Sequence, residues 1–570
     1  MFKGLLLFTK YSSKKNQSIF YLLQFLILIN SVFQLLAVLS VGPLVAILAN
    51  YDFANLDYMK KIIELISFLG IGLEGGSLLK VFSFFVLVSF IITNVLTALI
   101  YSIQQILSQK INLEISKNII ENFFYQSSSE GAKKNAFYYK SLIEKELNQV
   151  ISYVVMPLSD LNSKVFPLIL ILIGLITINP QATMFVFIFL ITGYFITFMV
   201  IKKRLTTNSD FISKFGIINT KITDDLFKSF KESKVFNFEK YLINTSLYYR
   251  KKYNSSIALN LILHNIPKHF FEIIAIFIVL TIILFFSKTS DPSLSLPLLA
   301  IYITAGYKIM PSLQSILFAI SSIRGTQRSL DNIFKVLKKR NTKKNKTIFN
   351  KIEKIDIKNF SYSYGKNYLF EDCNISLKKD SVIGIFGESG IGKSTLMDIL
   401  LGFKEINKGQ FFINDKKINQ QKTNIMTQTS IVPQNIFLMN EKLIDNITFK
   451  KVLTKYEYEK LLIILKKLYL KNFYRQNTII NKEIKEFGRN ISGGQIQRLG
   501  IARAMFKDSQ IIILDEFTSA LDKKNEKLIL KNLKYFFKNK IVILISHQKN
   551  VLDKCNIVYE IKDKKIKKIN

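Results

Sequence analysis

Gly387-Glu388-Ser389-Gly390-Ile391-Gly392-Lys393-Ser394-Thr395 decides how the C-terminal part of this chain folds. The stretch fits G-x-x-x-x-G-K-[S/T]. In that pattern glycines let backbone N–H groups line a small cavity that a Cβ would obstruct. Lys393 is a mobile point charge for the outer phosphates of a nucleotide, and the Ser394 hydroxyl suits Mg²⁺. Working outward, the apolar run 382–386 reads as a buried strand entering the loop. Residues 396–401 read as the helix leaving it, with its N-terminus aimed at the anion.

Two further stretches extend the reading. Ile511-Ile512-Ile513-Leu514-Asp515-Glu516 is a buried strand carrying two carboxylates to its C-terminal end, where doubly wound α/β sheets bind ligands. Asp515 is placed to hold Mg²⁺ and Glu516 to polarise an attacking water. Alone, the stretch reads equally well as a core strand with a solvated acidic cap. A phosphate loop in the same region favours the chemistry. Ile491-Ser492-Gly493-Gly494-Gln495, followed by Gln497-Arg498, reads as a second anion site: Ser492 and two glycines open a helix whose free N–H groups face a phosphate. Two such sites on one domain imply two chains closing over one nucleotide.

With these residues in hand the region resembles the ATP-binding cassette (ABC) family, and 491–495 resembles its signature, with Ile491 where Leu is usual. The resemblance implies roles at further positions. Gln434, after Ile431-Val432-Pro433, matches the glutamine that contacts Mg²⁺ and water. Asp522, in Ser519-Ala520-Leu521-Asp522, matches the loop that follows the acidic strand. His547, after Leu544-Ile545-Ser546, matches the histidine that binds the γ-phosphate and orients Glu516. Tyr364 matches the aromatic that stacks on adenine, with Tyr362 the other candidate. Glu486-Phe487-Gly488 matches the exporter-type segment before the signature. Asp380-Ser381 departs from the family where Gly often stands, and Gln548 where Arg is common. The expected cofactors are ATP and Mg²⁺.

The N-terminal part is a different material. The chain has 570 residues, room for two domains, and 49% of them are hydrophobic. Apolar runs of about 20 residues can span a bilayer. Six are read, at 20–48, 79–100, 154–178, 182–201, 257–286 and 296–320. Lys3, Lys10, Lys14 and Lys15 precede the first and Lys202, Lys203 and Arg204 follow the fourth, which puts the N-terminus and the cassette inside. The first run is too long for a signal peptide and lacks a cleavage pattern. Residues 53–73 carry apolar positions at helical spacing among charges. They read as an amphipathic helix, lying either on the membrane surface or against the protein.

The expected fold is therefore multi-domain: an all-α transmembrane domain of six helices (1–337), a linker (338–351) and an α/β phosphate-loop cassette (352–570). The formal net charge is +38. Lysines near a membrane follow from the positive-inside bias and anionic headgroups, and no nucleic-acid module is visible. Cys373 and Cys555 form no metal or disulfide pattern.

Over nearly the whole chain this order resembles an ABC exporter half. The resemblance implies a homodimer in a bacterial cytoplasmic membrane, with cytoplasmic coupling segments near 129–139 and 227–235. Lys268, after Pro267, and Lys308, in Gly306-Tyr307-Lys308-Ile309-Met310-Pro311-Ser312, are basic residues in spans, where charge is costly and usually faces a wet cavity or a partner. For Lys268, snorkelling to the interface is the plainer alternative. A basic cavity suits an anionic head. These features resemble bacterial flippases of lipid-linked oligosaccharides, which makes a lipid of that kind the expected cargo. Exporters of lipid A-type lipids, peptides or drugs share every cassette motif. An ATP-gated channel or non-transporting sensor is the reading from another class.

Overall fold

Proline and asparagine punctuate the apolar half. The run 20–48 does not form one helix: α2 (Lys14–Leu39) stops before Ser40, and α3 (Val41–Leu48) follows. Pro43 has no N–H to give the Leu39 carbonyl and its ring would crowd it, so the helix breaks there. Asn179 separates α5 (Met156–Ile178) from α6 (Pro180–Lys228). Its Oδ1 accepts from Ala182 N at 3.0 Å, and Pro180 takes the first helical position, where an N–H is not needed.

This computed structural model describes residues 2–48, 75–124, 136–289, 292–338, 349–365, 367–420, 423–470, 484, 491–518 and 521–569. The surface helix expected at 53–73, the first coupling segment up to residue 135, most of the linker and Glu486–Gly488 lie outside them. The chain divides into a helical unit ending at Asn341 and an α/β unit from Thr342 to Asn570.

In the helical unit, α1 (Phe2–Thr9), α2, α3, α4 (Gly75–Phe124) and α5 precede α6. Then come the short α7 (Phe230–Val235), α8 (Glu239–Thr289), α9 (Pro292–Gly325) and α10 (Gln327–Lys338). Among the described residues three helical stretches are long and apolar enough to cross a membrane: Lys14–Leu48, Leu79–Phe124 and Phe137–Ile178. The other three apolar runs fall on α6, α8 and α9. Two π-helical turns, Leu142–Glu146 and Ile151–Val155, interrupt the approach to α5. The first delivers the buried Glu146, whose carboxylate accepts from Ser213 Oγ at 2.9 Å and Asn332 Nδ2 at 3.0 Å. That network joins the approach helix, α6 and α10 through a carboxylate that would be costly unpartnered.

The α/β unit holds two sheets. One is antiparallel, in the order β2 (Asn367–Lys378), β1 (Lys354–Tyr364), β4 (Lys408–Ile413), β5 (Lys416–Ile418). The other runs β10 (Lys565–Lys568), β9 (Ile557–Lys562), β3 (Ser381–Phe386), β8 (Ile541–Ile545), β7 (Ile511–Asp515), β6 (Thr429–Val432), and is parallel except at β10. Apart from Ser381 and Gly384 in β3 and Asp515 at the end of β7, its central strands are apolar along their length because both faces are covered. Val382, Ile512, Leu514, Val542 and Leu544 pack into one core. Ile383, Ile385, Ile511, Ile513, Ile541, Ile543 and Ile545 pack into the other, shared with β1, β2 and β4.

Candidate nucleotide site

The parallel register sends four chain segments off the same edge of the sheet. β3 ends in the phosphate loop, β7 in Asp515 and Glu516, β8 in Ser546 and His547, and β6 leads to Gln434.

In the phosphate loop Glu388, Ser389, Gly390 and Ser394 are exposed, Ile391 is half-buried, and Gly387 and Thr395 are buried. Gly392 has φ +113°, and a Cβ there would meet Leu369 Cδ2 at 3.0 Å and Phe370 Cζ at 3.1 Å. Both backbone and packing therefore demand glycine. The helix α11 (Lys393–Leu400) starts directly after it. Lys393 folds back, donating to the carbonyls of Gly387 at 2.7 Å and Glu388 at 2.9 Å.

Glu516 lies between two polar partners. Its Oε2 accepts from Gln434 Nε2 at 2.7 Å, and its Oε1 is 3.3 Å from His547 Nδ1. Its backbone is left-handed, φ 42°, and its N–H donates to the Ile545 carbonyl at 3.0 Å. A non-glycine residue held there stores strain, which locates the carboxylate at the strand ends. Asp515 is half-buried. Burial and then the neighbouring Glu516 raise its carboxyl above the usual range, and the Lys393 charge opposes them. Asp515, Ser394 and Gln434 offer hard oxygens and too few carboxylates for a protein-only cage. No cluster of three or more His, Cys, Asp or Glu exists among the described residues. Such a set fits Mg²⁺ shared with phosphates, and the two crowded carboxylates are short of the positive charge it brings.

The signature residues stand apart. Ser492 caps α12 (Gly493–Lys507): its Oγ accepts from Gln495 N at 3.3 Å, and Gln495 Oε1 accepts from Ser492 N at 2.9 Å. Gly493 and Gly494 form the first turn of this capping box. The helix packs on β6 at the sheet's edge, whereas the phosphate loop follows β3, with β7 and β8 between. Gln497 Nε2 donates to the Gln434 carbonyl at 3.0 Å, tying the signature helix to the glutamine loop. Asp522 Oδ1 accepts from Asn525 N at 2.7 Å at the start of α13 (Lys523–Phe536). Ser519 and Ala520 lie outside the described residues.

Tyr364 is the exposed tyrosine of its pair and Tyr362 is half-buried; their rings meet edge-on at 5.3 Å. In the helical unit Lys308 is half-buried, with Nζ 5.2 Å from the Phe90 ring centroid. Phe90 also lines an apolar groove of about 420 Å³ with Val86, Leu87, Ile91, Asn94 and Val95. Lys268 falls on α8, and its side chain lies outside the described residues. Three residues escaped the sequence reading. Lys164 is close enough to Lys308 for their charges to repel, and lies 4.0 Å from Asp160. Arg503 binds the Asn446 carbonyl at 2.5 Å and the Phe437 carbonyl at 2.7 Å, and burial lowers its pKa to about 10. Lys404 sits on the Tyr364 hydroxyl. A basic residue inside an apolar run was the available signal for Lys164. The other two had none.

Residues 370–519 match the family model for the ABC transporter. An ATP-dependent lipid A-core flippase of Wigglesworthia glossinidia brevipalpis is 35% identical over 219 residues, 37% of each chain. A second such flippase, of Colwellia psychrerythraea, is 38% identical over 34% of each chain. A lactococcin-G-processing and transport ATP-binding protein of Lactococcus lactis is 38% identical over 38% of this chain and 31% of its own. The chain thus spans about a third of the length of these curated relatives. A bacterial Atm1-family ABC exporter with ATP bound has a TM-score of 0.76, covering 97% of this chain and 95% of that one at 16% identity. Residues 370–519 thus carry the ABC transporter domain, and the chain shares the fold of a bacterial Atm1-family ABC exporter.

Proposed function

We propose that this chain is one half of a homodimeric, ATP-driven exporter that moves an amphiphile with an anionic head outward across a bacterial cytoplasmic membrane. In this reading residues 1–337 form six spans with the N-terminus and cassette inside, 338–351 the linker and 352–570 the cassette. The observation that carries it is Glu516 held between Gln434 and His547 at the sheet edge where the phosphate loop also ends.

Residues 387–395 cradle the phosphates of ATP, and Lys393 leaves its two carbonyls for the outer phosphates. Ser394, Asp515 and Gln434 would hold Mg²⁺, which when bound neutralises charge on the phosphates. Glu516 accepts the proton of the attacking water. Gln434 and His547 fix its orientation, and His547 also meets the γ-phosphate. Tyr364 stacks on adenine. Ser492, Gly493, Gly494 and Gln495 reach the γ-phosphate of the nucleotide held by the partner copy, with Asp522 beside the shared face. Because ATP binds the closed pair better than the open one, its binding drives the conformational change.

Lys308, with Lys164 near it and Phe90 linking it to an apolar groove, suits a charged head joined to an acyl chain. Lys268 is assigned to the same cavity. Two of the relatives above are lipid A-core flippases, which puts a lipid A-type cargo ahead of a lipid-linked oligosaccharide. The test is ATP-dependent translocation of each lipid in proteoliposomes, with Glu516→Gln as control. That variant keeps ATP binding and loses about 10²-fold or more of its turnover. Undiminished ATPase would remove Glu516 from the chemistry. Movement of neither lipid, with ATPase intact, would overturn the assignment to these two cargoes.

A further inference from the structure

Tyr364 closes β1, is 54% exposed, and is followed by Gly365. Its hydroxyl is nevertheless held from two sides. Lys404 Nζ donates to it at 2.5 Å, and Thr395 Oγ1 lies 3.2 Å away. Lys404 is itself anchored. Its ammonium pairs with Asp398 Oδ2 at 2.8 Å, and the backbone N–H groups of Phe403 and Lys404 donate to the Asp398 carbonyl at 2.7 and 3.1 Å. Nζ is 5.0 Å from the ring centroid while bonded to the hydroxyl, so it sits off the hydroxyl edge rather than over a face. Tyr362 meets the ring edge-on at 88°. Thr395 follows Ser394, so the same chain of bonds ends on the phosphate loop.

We infer that Lys404 is a positioning residue for the nucleotide: anchored on Asp398, it holds the Tyr364 hydroxyl so that the ring offers a face to the adenine base. The inference rests on the reading of Tyr364 as the base platform. A consistent sign is that Lys404, and then Thr395, hold the Tyr364 phenol below its ordinary pKa. A hydrogen bond to a charged group is strong enough to order an exposed ring.

The test uses the full-length protein in lipid nanodiscs, with ATP affinity from equilibrium binding and KM and kcat from ATPase assays. Lys404→Met should weaken ATP binding and raise KM about tenfold, the size of one charge-assisted hydrogen bond, with kcat within about twofold. Lys404→Arg should recover most of the affinity. Tyr364→Phe should match Lys404→Met, and the double variant should be no worse than either. Unchanged affinity in Lys404→Met, or an equal further loss when it is added to Tyr364→Phe, would overturn the proposal. If Lys404→Met folds poorly, judged by its nucleotide-free melting temperature, Lys404→Gln takes its place. Tyr364→Ala separates the two ideas. Unaltered ATP affinity there sinks the platform itself, whereas a loss there alongside an innocuous Lys404→Met sinks only the role of the lysine.

Discussion

Asp380 shows how a departure from a family pattern can keep the backbone the pattern requires. It stands at the turn before β3, where Gly is common in ABC cassettes, and its φ is +59°. Aspartate tolerates this region better than most residues. Here its Oδ1 also accepts from Asn539 N at 2.8 Å, and its own N–H donates to the Lys540 carbonyl at 3.0 Å. Asp380→Ala loses the side-chain bond and leaves a Cβ in a left-handed backbone without the short polar side chain that lets aspartate adopt it. It should cost about 2 kcal/mol, the sum of a left-handed alanine and one hydrogen bond. Asp380→Gly loses only the bond and should cost about half as much. Apparent melting temperatures of the two full-length variants check the order, and a reversed order would mean that the turn does not need the left-handed conformation. The sequence marks Asp380 as unusual but not why. Lys404 is more hidden still: its partners lie at 364 and 398, on a strand and a helix whose juxtaposition only the fold supplies. Lys164 carries a sequence mark, a charge inside an apolar run, but its neighbour Lys308 on another helix does not show there.

At the scale of elements, the legible parts are those where one local rule suffices. Continuous apolar runs ending in Gly or Asp-Glu announce buried parallel strands, and β3 and β7 are found there. Ser492-Gly493-Gly494-Gln495 announces a helix start, and the capping box forms at that point. Less legible are the breaks. The interruption at Ser40 needs the Pro43 clash to outweigh an otherwise unbroken apolar pattern. The two π turns before α5 have no sequence mark that we recognise. Packing between elements is also silent in the sequence, as Gly500 illustrates. It lies on α12 where that helix crosses β6, and a Cβ there would fall 2.4 Å from Ile436 Cδ1 and 3.0 Å from Val432 Cγ1. Those two residues flank Gln434. Gly500→Ala should therefore displace the glutamine loop and destabilise the cassette by about 1–3 kcal/mol, the usual cost of overpacking. ATPase activity should fall with the melting temperature. Ile436→Val removes the clashing methyl, so the double variant should recover both. If it recovers neither, the helix is disturbed in some other way.

At the scale of the molecule, the geometry of one α/β unit explains why a single copy would be incomplete. Successive strands of a sheet lie about 4.8 Å apart, so three steps from β6 to β3 carry the phosphate loop roughly 14 Å across from the strand that supports the signature helix. Ser492 satisfies its own helix instead of reaching across. The proposed composite site, phosphate loop of one copy against signature of another, makes an arithmetic prediction. Take Lys393→Met to break the loop and Ser492→Arg to break the signature. A dimer pairing one single variant with the other has one site with both halves broken and one with both halves intact, so it should retain about half of the wild-type nucleotide trapping. A dimer pairing the double variant with wild type has one broken half in each site and should retain almost none. If each copy instead built a site from its own loop and signature, the outcomes would exchange. The singles would leave no intact site, and the double with wild type would leave one. Trapping measured on the two heterodimers, purified through a different affinity tag on each copy, decides between one-chain and two-chain sites without knowledge of the cargo.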